Sequence, residues 1–147
     1  MAKSEKTVEQ TNPGMMFVIS IVVVALINAL VVYLANMFFP NQVVLGTMSI
    51  SPLWSIAIFS TALSLFTVMA LPFLKQMEIS RGKEMSPPEM MGAFLVINFI
   101  VVWLLSRVSE VFGVGVASWM VVLALSVVFD VLQGGVMVAI DKVRTGK

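Results

Sequence analysis

The chain has 147 residues, 59% hydrophobic and only 12% charged, with a formal net charge of +1. Soluble domains carry roughly 25% charged residues, so this composition excludes an ordinary water-soluble fold and points to a lipid bilayer. With neither Cys nor His, the chain has no disulfide, thiol redox pair, iron–sulfur centre, histidine-ligated haem or imidazole proton relay, which also excludes the four-helix quinone-linked thiol oxidoreductases.

The first twelve residues, MAKSEKTVEQTN, are polar and of mixed charge. From Gln10 to Leu74 the chain then runs 65 residues without an Asp, Glu, Lys, Arg or His, and Met90–Ser106 and Val111–Phe129 are uncharged as well. A spanning helix needs ~20 apolar residues, so four spans are predicted, near 13–38, 52–75, 87–111 and 119–141. The expected fold is an all-α integral membrane protein whose four transmembrane helices form two pseudo-repeated hairpins, with no separate soluble domain. Residues 1–12 and 142–147 are read as tails, and 75–86 as a charged, solvated loop carrying Lys75, Glu78, Arg81, Lys83 and Glu84. The first span is too long for a signal peptide and lacks a small-residue cleavage site, so it is expected to be retained.

Helix starts are marked by a polar residue followed by proline, whose missing N–H costs nothing at the first helical position. The pairs are Asn12-Pro13, Ser51-Pro52 and Ser86-Pro87, and Ser86-Pro87-Pro88-Glu89 also reads as a capping box. Ser118 before Trp119 is the candidate cap of the fourth span. Pro40 and Gly113-Val114-Gly115 mark the ends of the first and third.

Eight basic residues, Lys3, Lys6, Lys75, Arg81, Lys83, Lys142, Arg144 and Lys147, fall on the side shared by both termini and the central loop, against Arg107 alone on the other. The positive-inside rule then places the termini and the central loop in the cytoplasm, and the protein in a bacterial-type inner membrane. The same asymmetry argues against the small multidrug-resistance transporters, which need nearly balanced charge and carry a glutamate in the first span.

Ile27-Asn28-Ala29-Leu30-Val31-Val32-Tyr33-Leu34 recurs as Ile97-Asn98-Phe99-Ile100-Val101-Val102-Trp103-Leu104, a shift of 70 residues with Asn and an aromatic at matching places. A duplicated hairpin with its pseudo-axis along the membrane normal is expected. This Ile-Asn-x-x-Val-Val-aromatic-Leu pattern, followed by a return helix opened by Trp54 or Trp119, resembles the small four-span proteins of phage-holin superfamily IV over roughly Phe17 to Leu132. The resemblance implies a homo-oligomeric membrane assembly. The second span here ends in Leu71-Pro72-Phe73-Leu74-Lys75, where that family has an Asn-x-x-x-Arg-Pro stretch.

Polar residues within the spans recur at helical spacing. Ser126, Asp130, Gln133 and Asp141 share one face of the fourth span, and Ser60, Ser64 and Thr67 one face of the second. At ~1.5 Å of rise per residue, Asn28, Ser64, Asn98 and Asp130 fall at similar depth, ~14–20 Å from the cytoplasmic ends, and are expected to form one intramembrane polar layer. Asp130 is the only acid deep in a span, and a carboxylate at a helix centre costs ~2.5–3.5 kcal/mol on insertion scales. The layer reads either as interhelical glue, which is preferred, or as a proton or ion site with Asp130 as carrier; a third option pairs Asp130 with a basic residue of another subunit. Ala25-x-x-x-Ala29 and Ser60-x-x-x-Ser64 are candidate helix-packing faces. The interfacial aromatics serve as bilayer anchors, and the twelve Met residues as pliable packing rather than soft-metal ligands.

No nucleophile–base pair, metal constellation, phosphate-binding glycine loop or basic aromatic surface occurs. The sequence therefore predicts no enzyme, cofactor, metal or nucleic-acid partner. It predicts a protein whose partners are the bilayer and either other membrane subunits or copies of itself.

Overall fold

In the computed structural model, which describes residues 12–145 and the side chains of 12 and 14–136, the proline-led starts all open helices. Helix α1 spans Pro13–Phe38, and Asn12 Oδ1 accepts the Gly14 N–H at 3.0 Å. Helix α2 begins at Pro52 and α3 at Pro87. At the start of α3, Glu89 accepts the Ser86 backbone N–H at 2.8 Å, and the Ser86 hydroxyl donates to the same carboxylate at 2.8 Å. Helix α5 starts at Trp119, where Ser118 Oγ accepts the Val121 N–H at 3.4 Å. Residues 1–11 of the expected N-terminal tail and 146–147 of the C-terminal one lie outside the described residues, as does the Asp141 side chain.

Three helix ends differ from expectation. Helix α2 runs on to Arg81, and the expected loop shrinks to the residues between Arg81 and Pro87. Charge ends a membrane span but not a helix: Lys75, Gln76, Met77 and Glu78 are all good helix formers. The stop comes at Gly82, whose positive φ of 63° suits a left-handed C-cap. Pro72 lies inside α2 without ending it. Helix α3 stops at Arg107 rather than 111; a single turn, α4 (Ser109–Phe112), and Gly113 at φ 74° then redirect the chain. Helix α5 continues through Thr145, past the expected end at 141.

The sequence reading missed a short ribbon. β1 (Val43–Leu45) pairs antiparallel with β2 (Val114–Val116) in the register Val43↔Val116, Val44↔Gly115 and Leu45↔Val114. Bonds from Gly46 N to Gly113 O at 2.8 Å and from Ala117 N to Gln42 O at 2.9 Å extend the pairing at both ends. Asn36 Nδ2 donates to Val43 O at 2.7 Å and ties the ribbon to α1. The ribbon clasps the α1–α2 hairpin to the α3–α5 hairpin at one end of the bundle, and its buried Val43 and Val114 continue the core.

Val31, Val32, Phe59, Leu63, Val102, Leu105, Val122 and Phe129 form that core. Large apolar residues also point outward, among them Leu26, Leu30, Phe66, Ile100 and Val131. In water such a surface would drive aggregation; in lipid it is the ordinary exterior. Four helices are long and apolar enough to cross a bilayer. The protein is thus an all-α, multi-pass integral membrane protein.

Candidate intramembrane polar site

Between helices in lipid there is little hydrophobic driving force, since acyl chains are as apolar as leucine; packing and interhelical hydrogen bonds carry association instead. The bundle places its polar side chains accordingly. Gln133 on α5 donates from Nε2 to Asn28 Oδ1 on α1 at 2.8 Å, and its Oε1 accepts from Asn98 Nδ2 on α3 at 3.2 Å. Asn98 Oδ1 accepts from Thr67 Oγ1 on α2 at 3.2 Å, the hydroxyl hydrogen being shared with Leu63 O at 2.9 Å. One chain of side-chain bonds, Thr67–Asn98–Gln133–Asn28, therefore touches all four long helices. Asn28 and Asn98 are wholly buried and Gln133 is 4% exposed.

Of the expected layer, Asn28 and Asn98 are brought together, bridged by Gln133. Ser64 is buried but returns its hydroxyl to its own helix, at Thr61 O (2.8 Å). Asp130 is 9% exposed and takes no part in the bonds that join the helices. Thr67 and Gln133, recognised in the sequence only as members of polar faces, complete the connection. Ser106 and Ser126 likewise bond backward, to Val102 O and Val122 O at 2.7 Å each.

The packing faces divide. Ser60 and Ser64 are buried within the bundle, whereas Ala25 and Ala29 are half-buried along α1. The Ser60 hydroxyl is enclosed without a hydrogen-bond partner, as is Asn28 Nδ2. Ser60→Ala removes an unpaired polar atom with almost no change of shape. It is expected to leave stability unchanged or to raise it by up to about 1 kcal/mol, as read from reversible unfolding in bicelles, whereas Ser60→Leu should break the bundle by overpacking.

Two further features frame the site. On α3, Phe99 and Trp103 stack with centroids 6.4 Å apart, and the Arg107 guanidinium sits 4.1 Å from the Trp103 ring centre. This cation–π contact holds the arginine against the helix. Between α1 and α5 lies an apolar groove of about 540 Å³, lined by Val31, Leu34, Phe38, Met120, Ala124 and Val128 among others.

Chemically, amides and hydroxyls do not exchange charge near neutral pH, so the four-residue chain can hold helices together but cannot carry a proton by titration. Among the described residues, Asp130 is the one ionisable group at that depth. Among the described residues, no group of three or more His, Cys, Asp or Glu is arranged to hold a metal ion. No protein-family model, curated protein or solved structure matches this chain.

Proposed function

We propose that this is a non-enzymatic membrane protein that works by assembly, either as an accessory subunit stabilising a larger membrane complex or as a holin-like homo-oligomer. The observation that carries this reading is the Thr67–Asn98–Gln133–Asn28 chain, in which the best-buried polar groups are spent on joining helices to one another. A polar midplane used in this way makes a stable scaffold. The lipid-facing surface and the α1–α5 groove then remain to meet neighbours.

The two hairpins are read as a pseudo-repeat. Asn28 and Asn98 are equally buried at matching places, and in each hairpin a three-residue strand lies between two long helices, with the single turn α4 added in the second. Ser60, Ser64 and Thr67 on α2 have the same spacing as Ser126, Asp130 and Gln133 on α5, and all six are buried. The ribbon register is also self-consistent under such a swap, because Val44 and Gly115 face each other at its centre.

The basic asymmetry supports a cytoplasmic position for both termini and the α2–α3 connection. A cysteine introduced at Lys83 is expected to resist a membrane-impermeant thiol reagent in intact cells, and one at Gln42, beside the ribbon, to react. Labelling at Lys83 with protection at Gln42 would invert the orientation.

A second reading, a proton- or ion-coupled transporter or pore, draws on Asp130, whose carboxylate stands apart from the network. Asp130→Asn separates the two. Under the assembly reading, Asp130→Asn leaves the bundle folded and proteoliposomes carry no Asp130-dependent ion flux. A flux present in the unmodified protein and lost in a folded Asp130→Asn variant would favour transport.

A further inference from the structure

We infer that Asp130 is the contact point for a transmembrane helix of a different polypeptide, one carrying a lysine or arginine near the bilayer midplane. The inference rests on the assembly reading and names the chemistry of the partner.

Depth comes first. Asp130 is eleven residues into α5 from Trp119, about 16 Å at helical rise, which is near the middle of a hydrocarbon core about 30 Å thick. An acid there is tolerated where it faces a partner, water or another charge.

The fold itself makes little use of this acid. The network bypasses it, and at the position of matching spacing in the other hairpin Ser64 satisfies itself on Thr61 O. Among the described residues, its carboxyl has no share in the side-chain hydrogen bonds that join the helices.

Asp130 is only 9% exposed, but its place on the helix sets it at the rim of the buried face. Ser126, Phe129 and Gln133 face the bundle, while Leu123, Val127 and Val131 are exposed. Asp130 lies at the edge between the two sets. One turn further along, Gly134 is exposed, and a Cβ built on it would meet nothing within 4 Å. Asp130-x-x-x-Gly134 thus offers a carboxylate beside bare backbone, an arrangement that lets a second helix approach closely.

Charge complementarity selects the occupant. A second copy of this chain cannot supply the cation, because all three apolar stretches are free of Lys and Arg. Lys75, Arg81 and Arg107 sit near helix ends, and Arg107 is engaged with Trp103. The partner must therefore be another polypeptide with a basic residue at mid-span.

The test uses the full chain in lipid nanodiscs with a defined probe, a synthetic polyleucine helix of about 20 residues bearing one central lysine, with association followed by fluorescence energy transfer. The lysine helix is expected to bind at least tenfold more tightly than an all-leucine helix or one with its lysine near an end. Asp130→Asn should bring its affinity down to the all-leucine level. Gly134→Leu should weaken association, and Asp130→Lys should restore it with a helix bearing a central aspartate. Should Asp130→Lys fail to fold, Asp130→Asn decides the matter. Equal binding of the lysine and all-leucine helices, or a lysine preference that survives in Asp130→Asn, would overturn the inference. Either result would leave assembly through other faces untouched; that reading fails only if the chain is found to be a strict monomer without partners.

Discussion

Replacing Gly113 by alanine is expected to destabilise the bundle by about 3 kcal/mol, combining a left-handed backbone penalty with overpacking. Gly113 has φ 74°, and a Cβ there would run into Ser55, coming within 2.9 Å of its Cα and closer still to its hydroxyl. Ser55 is itself fixed, buried on α2 with its Oγ bonded to Ser51 O at 3.0 Å. The obstacle is therefore partly backbone and cannot swing away. Because the Gly113 carbonyl also receives the Gly46 N–H at 2.8 Å, the ribbon should loosen along with the helix contact. The measurement is the unfolding midpoint in bicelles. Ser55→Gly is expected to recover part of the loss in the double variant, by relieving the clash but not the φ strain, and purely additive effects would contradict this contact.

Gln133→Leu is expected to be the most costly change in the polar layer, at about 1–3 kcal/mol. It removes two interhelical bonds at once and strands Asn28 Oδ1 and Asn98 Nδ2 in an apolar interior. Single bonds of this kind in a membrane average ~0.6 kcal/mol with a maximum near 1.7. Asn98→Leu, which also breaks two bonds, should rank beside it. Thr67→Val and Asn28→Leu break one interhelical bond each and should rank below, with Asn28→Leu further offset by removal of an unpaired buried amide hydrogen. Equal effects from all four substitutions, read from the same unfolding midpoints, would count against a connected chain.

The features legible in the sequence are those with a local cause. Uncharged length marked the spans, and the polar-then-proline pairs marked where α1, α2 and α3 begin, because the proline that opens a helix is also barred from most of its interior. Asn28 and Asn98 could be placed at one depth by counting residues. Gln133 could not, because depth counted on Cα atoms ignores side-chain direction. Helical side chains lean toward the N-terminus, and α5 begins at the ribbon end. The long Gln133 side chain therefore reaches back into the layer, while the short Asp130 leans away from it. The α2 overrun to Arg81 is not legible in the charge pattern, because charged residues end a membrane span without ending a helix. The ribbon was hidden for a different reason: its strands are three residues each, separated by some seventy positions, and their pairing has no short-range turn signal.

Native mass spectrometry of the full chain, extracted from its own membrane in mild detergent and again in lipid nanodiscs, tests most directly whether this protein works by assembly. The expected result is a stable complex, containing either further polypeptides or a defined multiple of this chain. A strict monomer under both conditions, with no co-purifying polypeptide, would contradict assembly and move transport through Asp130 to first place.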